Sequence, residues 1–154
     1  MFPKEIFVQQ ERFKVVPFVS LILKRGSEVL LIRRINTGIE DGMYACAGGG
    51  VDGNETIVQA VIREAAEELG ITLKKEAIKV VHILHRKYPQ GQEMIGFYVE
   101  ATAWEGVPAN REPHKCDDVQ WFDIEQLPGN CQPSFKHVMA MVDRNVFFSE
   151  MGWE

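Results

Sequence analysis

The chain has 154 residues, enough for one hydrophobic core and too few for two comfortable domains. Apolar residues make up 45% and charged residues 25%, an ordinary globular balance that excludes an extended disordered protein. A formal charge of −5 gives no broad basic footprint for polymeric nucleic acid or a membrane surface, so a phosphate-bearing partner has to be met locally.

Residues 1–13 (MFPKEIFVQQERF) carry scattered charges and no apolar h-region, so no signal peptide is expected. They are free to pack on a sheet or to join a dimer. Residues 15–23 (VVPFVSLIL) form a β-branched and aromatic run suited to a buried strand. A turn at 24–27 (KRGS) leads into a second strand at 28–32 (EVLLI), which together read as a hairpin. Residues 33–42 are polar with two glycines and should be loop, and 43–47 (MYACA) a short strand. Residues 78–86 and 93–104 are two further strands, joined by the turn formers of YPQGQ. An irregular segment at 106–118 and a short strand at 119–122 (VQWF) follow. Residues 134–147 place Phe135, Val138, Met139, Val142 and Val146 at helical spacing, with Pro133 near the start. Strands interspersed with two helices imply a sheet covered by helices, of α/β or α+β class.

The first of those helices carries the chemistry. Residues 48–71 read GGGVDGNETIVQAVIREAAEELGI. Thr56 and Gln59 make a capping-box pair, and Gly70 supplies a left-handed stop. Val58, Val61, Ile62, Ala65 and Leu69 form one apolar stripe, while Glu64, Glu67 and Glu68 fall within an arc of roughly 100° on the other side. Arg63 reaches Glu67, one cation for three anions. Like-charged neighbours at this spacing cost only about 0.2–0.5 kcal/mol, so the cluster alone is compatible with a solvated face. The glycines at 48–50 and 53 change its meaning. A glycine-rich entrance lets phosphate oxygens approach backbone N–H groups at the head of a helix. Beside it, carboxylates that hold a hard divalent cation, Mg²⁺ or Mn²⁺ in its place, would let the cation carry a diphosphate. A nearby glutamate would take the proton of an attacking water.

Gly49, Glu55, Arg63, Glu64, Glu67, Glu68, Gly70 and Ile71 stand at the spacing G-x5-E-x7-R-E-U-x-E-E-x-G-U, where U is a bulky aliphatic residue. In this the chain resembles the Nudix hydrolase family, of the MutT-like kind. Two positions depart from the usual pattern: Ala65 is small for the first U, and Ala47 stands where proline is frequent. The LLIRR strand before the box and the Trp121-Phe122 strand with Leu127-Pro128 after it also agree.

The resemblance implies a Nudix fold, an α/β/α sandwich around a mixed β-sheet, over a single domain at 1–154 with its box at 49–71. It implies a cytoplasmic enzyme that hydrolyses a nucleoside di- or triphosphate, or a nucleoside diphosphate linked to another group. Glu64, Glu67 and Glu68 would face the metal, with the Gly48 carbonyl as a further ligand. Arg63 would orient the glutamates and pair with Glu55. Glu64 is the preferred general base, and Arg34 corresponds to a phosphate contact. The segment EPHKCDDVQWF offers Glu112, and after it Asp118, as an extra metal ligand. Many relatives pair, so a homodimer joins the expectations. Two alternatives stay open: a non-hydrolysing nucleotide sensor of the same shape, and a hydrolase of a non-nucleotide diphosphate.

Other residues are weaker candidates. His82 and His85, three apart in a strand, point to opposite faces and cannot share an ion. Whichever of Phe97, Tyr98 and Trp104 faces the glycines is a candidate to stack on a base. Met139 and Met141 read as core filler. Cys46, Cys116 and Cys131, odd in number and without C-x-x-C spacing, argue against a disulfide framework or a zinc site.

Overall fold

The computed structural model describes residues 11–154, and the expectations attached to residues 1–10 lie outside them. Strand β1 (Val16–Arg25) turns through Gly26, at φ +60°, into β2 (Glu28–Arg34). Only Lys24 with Val29 and Arg25 with Glu28 then pair, so the expected hairpin is splayed. β1 continues between β4 (Ala47–Gly50), antiparallel, and β6 (Glu93–Ala101), parallel. β2 continues between β3 (Tyr44–Ala45) and β7 (Cys116–Asp123), both antiparallel. β5 (Ile78–Lys87) joins β6 antiparallel and carries β8 (Phe148–Met151) parallel on its other edge. The sheet is therefore mixed.

Period-two alternation along the central strands buries both faces. Val19, Leu21 and Leu23 of β1 pack with Ala60, Val61, Ala65 and Leu69 of the first helical segment. Ile22 points the other way and packs with Phe135 and Val138 of the second helix, beside Leu31, Leu84 and Tyr98. Each Val, Leu, Ile or Phe among them contributes about 1.5–3 kcal/mol when fully buried. Helices on both faces give the α/β/α sandwich that the sequence implied. Among the described residues no helix is long and apolar enough to cross a membrane.

The first helical segment starts as α1 (Ile57–Glu64) and widens into a π-helical turn, Ala65–Leu69, ending at Gly70 with φ +68°. The second helix, α2 (Pro133–Asp143), has proline at its first turn but stops short of the expected residue 147. Val146 and Phe147 lie past its end, and the chain re-enters the sheet as β8, a strand that the helical spacing concealed. β6 ends at Ala101, so Trp104 lies outside the sheet and stacks on Trp121 at 5.9 Å between centroids. β7 begins at Cys116, three residues before the expected 119, because Arg33 and Arg34 of β2 extend the ladder. The helix face also differs from expectation. Ala60 and the charged Glu64 are buried, whereas Val58 and Ile62 are only half-buried.

Candidate active site

The site grows from the contact between β4 and the helical segment. The expected glycine loop is a strand: Gly48, Gly49 and Gly50 pair with Ser20, Val19 and Phe18 of β1. Nothing in an Ala-Gly-Gly-Gly run favours β structure, so tertiary pairing decides it. The glycines serve close approach. A Cβ on Gly48, at φ +156°, would stand 2.0 Å from the Val19 carbonyl oxygen. A Cβ on Gly49 would stand 2.4 Å from Glu64 Oε1. β4 is thereby pressed between β1 on one side and the helix carboxylates on the other.

The helix start is fixed locally. The Gln59 N–H donates to Thr56 Oγ1 at 3.1 Å and the Thr56 N–H to Gln59 Oε1 at 2.8 Å, the capping box expected from sequence. From that start Arg63 and Glu64 fall against β4. Arg63 gathers its neighbours: Nε donates to Glu55 Oε2 at 3.0 Å and Nη2 to Glu55 Oε1 at 2.7 Å. Nη1 donates to Glu64 Oε1 at 2.8 Å and Glu67 Oε2 at 3.3 Å, while Nη2 also reaches the Gly50 carbonyl at 3.1 Å. Glu55 accepts the Asp52 N–H at 2.7 Å, which closes the β4–α1 connection. These contacts hold the Glu55 carboxyl below its usual range, with the Arg63 bond the leading cause.

A cleft of about 450 Å³ opens beside this cluster. One wall is acidic: Glu64, Glu67, Glu68 and Glu112, with Gly48 to Gly50 at its base. Burial pushes the Glu64 carboxyl up in spite of Arg63. Glu68 is pushed up to about 8, by burial first and by the nearby Glu64 charge second, against the pull of the Gly48 N–H that it accepts at 3.1 Å. Carboxylates crowded in this way reduce their repulsion by holding protons or by meeting a cation. Among the described residues, no three His, Cys, Asp or Glu side chains converge into a ready-made metal cage.

The cleft is also lined by Arg34, Asn36, Thr37 and Lys115, of which only Arg34 was a candidate from sequence. Its Nε donates to the Ile39 carbonyl at 2.9 Å and its Nη2 to Thr37 Oγ1 at 3.1 Å, so much of this guanidinium holds the loop after β2. The far end of that loop is held by Glu40, which accepts from the buried Arg86 at 2.7 Å and from Gln132. Arg86 also donates to the Tyr88 hydroxyl at 3.0 Å and to Ser134 at 3.2 Å.

Two expectations need correction. Asp118 is absent from the cleft lining and instead accepts the Tyr44 hydroxyl at 2.5 Å, which leaves Glu112 as the acid of that segment within the cleft. None of Phe97, Tyr98 or Trp104 lines the cleft: Phe97 and Tyr98 pack into the two cores, and Trp104 meets Trp121. His82 is fully buried, with Nδ1 2.8 Å from the Val146 carbonyl and Nε2 2.7 Å from Ser149 Oγ, a packing role. The three cysteines are buried and free. Asn36, Thr37 and Lys115 were missed because their place in the cleft depends on contacts between segments nearly eighty residues apart, such as Asn36 Nδ2 to the His114 carbonyl.

A NUDIX domain profile matches residues 14–142. The chain is 32% identical over 116 residues to the NAD-capped RNA hydrolase NudC of Pseudomonas aeruginosa, covering 75% of this chain and 38% of that protein. It is 29% identical over 120 residues to the NudC of Chromobacterium violaceum, covering 78% and 42%. The chain thus aligns with only about two fifths of the length of these relatives. Among solved structures, a MutT NUDIX hydrolase from Burkholderia pseudomallei superposes with a TM-score of 0.77 at 26% identity, over 83% of this chain and 98% of that one. A NUDIX hydrolase from Nitrosomonas europaea superposes at 0.74 with 18% identity, over 88% and 93%, a likeness of fold. The profile spans most of the chain and the cleft forms where the box lies, so the protein belongs to the Nudix hydrolase family and is MutT-like.

Proposed function

We propose that the protein hydrolyses a diphosphate bond in a nucleoside di- or triphosphate, or in a nucleoside diphosphate linked to another group. One observation carries this reading: four carboxylates line a single cleft, and the ion pairs of Arg63 reach only Glu64 and Glu67 of them. The donor set fits a hard divalent cation, since every candidate ligand is an oxygen. Mg²⁺ needs only one or two carboxylates when substrate phosphate and water complete its octahedron, so a closed protein cage is not required. Glu64, Glu67, Glu68 and Glu112 would hold it, with the Gly48 carbonyl beside them. Mg²⁺, or Mn²⁺ in its place, supplies charge neutralisation and Lewis acidity at the phosphate oxygens.

The chain's own residues do the rest. Arg63 pins Glu64 Oε1 and leaves Oε2 to accept the proton of a water attacking phosphorus. Burial makes Glu64 a stronger base than a surface carboxylate. The bridging P–O bond breaks as the new one forms, and the leaving phosphate keeps the electron pair. Glu55 keeps Arg63, and through it Glu64, in place.

The likeness to NAD-capped RNA hydrolases favours a second substrate reading, a dinucleotide diphosphate free or at an RNA end. Incubation with Mg²⁺ and a panel covers both: nucleoside triphosphates, oxidised nucleotides, dinucleoside polyphosphates, ADP-ribose, NADH and NAD-capped RNA. One class is expected to release phosphate, pyrophosphate or mononucleotide, and Glu64→Gln to lower kcat about 100-fold or more. Tight nucleotide binding without turnover of any compound would point instead to a sensor of the same shape.

A further inference from the structure

The two cations that line the cleft together with the glutamates are not equivalent. Arg34 spends Nε and Nη2 on Ile39 and Thr37. Thr37 in turn gives its hydroxyl to Asp41 at 2.5 Å, and Asn36 gives its amide to His114. Lys115 differs. Its N–H donates to the Glu112 carbonyl at 2.9 Å, and its own carbonyl accepts the Ile35 N–H at 2.9 Å, so its backbone is clamped between the loop after β2 and the segment before β7. Its ammonium nevertheless makes no hydrogen bond or ion pair with the described residues. It leaves Glu64, Glu67, Glu68 and Glu112 alone although it shares their cleft.

A lysine in an acidic cleft that pairs with no acid has its charge available to a ligand, and an ammonium is a compact point charge suited to phosphate oxygens. A fixed backbone removes part of the ordering cost when it binds. We infer that Lys115 is a phosphate-recognition residue of this cleft, its ammonium meeting the oxygens of a phosphoryl group beside the one attacked. This rests on the hydrolase reading for the position of the attacked group. The cleft lining is consistent with it, because polar and charged groups dominate and no aromatic ring of the described residues joins them.

The test is calorimetric titration of inorganic pyrophosphate into the full chain in Mg²⁺ buffer. Lys115→Gln is expected to weaken binding about tenfold, Lys115→Arg to stay within about threefold of wild type, and Lys79→Gln on the exposed side of β5 to change nothing. On a diphosphate substrate, Lys115→Gln should raise KM and leave kcat near wild type. Lys115 is exposed, and an unchanged thermal midpoint shows that the variant is folded. Equal pyrophosphate affinity in wild type and Lys115→Gln overturns the assignment. So does hydrolysis of a diphosphate by a wild-type chain that does not bind pyrophosphate, an outcome that leaves the hydrolase reading standing. Lys115-dependent binding without hydrolysis of any compound upholds the subsite and removes the hydrolase reading.

Discussion

Arg63 and Arg86 organise two ion-pair systems of opposite design. Arg86 is buried, with its side chain 10% exposed, and faces one carboxylate, Glu40, with the neutral Tyr88 and Ser134 completing its donors. Charge there is balanced and the partners are satisfied, a clasp that fastens the loop after β2 to β5. Arg63 is more open and touches Glu55, Glu64 and Glu67 together, with Glu68 and Glu112 close behind. That cluster stays negative, and its surplus faces the cleft. A balanced pair records what holds a fold together.

Removing Arg86 should have the largest effect. Arg86→Ala leaves the half-buried Glu40 without its cation and empties a buried site, a loss of about 3–5 kcal/mol, which corresponds to a thermal midpoint lower by roughly 10 °C in a chain of this size. A fall under 2 °C in thermal denaturation would show that the clasp is no clasp. Arg63→Gln should cost less, about 1–3 kcal/mol, since the glutamine amide keeps a donor and Glu67 is half exposed, yet lower kcat roughly 100-fold by freeing Glu64. Equal stability losses at the two arginines would erase the distinction between them.

The smallest effect tests the surplus itself. The Glu68 carboxyl sits at about 8 in the folded chain against 4.5 for an unperturbed one, so the folded state keeps a proton that the unfolded chain releases. That stabilisation is fully present below pH 4.5 and is lost as pH rises through 8. In chelator, the thermal midpoint should fall between pH 5 and pH 9. Glu68→Gln should flatten the slope and raise the pH 9 midpoint by about 2–4 °C. A midpoint insensitive to both pH and the substitution would mean that the acidic wall is not strained.

The sequence made the box legible because its signals are local. Thr56 and Gln59 are one helical turn apart, and Arg63 reaches Glu55 and Glu67 within eight residues. Periodicity also exposed the buried strands, from Val19 to Leu23 above all. What escaped depends on distant partners. Gly48 to Gly50 become a strand because β1 pairs with them, not by any preference of their own. β8 is four residues long and follows a helix whose apolar spacing runs on past its end. The burial of Glu64 widens the expected helix face, because the glycines of β4 leave room for a carboxylate where a strand's side chains would ordinarily fill the space. Arg86 and Glu40 meet across 46 residues, and the place of Lys115 depends on the loop after β2.

The fit between Gly49 and Glu64 has an evolutionary corollary. A methyl group at residue 49 would meet the Glu64 carboxylate, which would have to shift, rather than main chain. A single missense change to alanine would therefore displace Glu64, the proposed base, while the β1–β4 pairing survives. At residue 48 the same change would strike main chain and threaten the sheet. Adjacent codons thus carry two different consequences, a displaced carboxylate on an intact sheet or a damaged sheet.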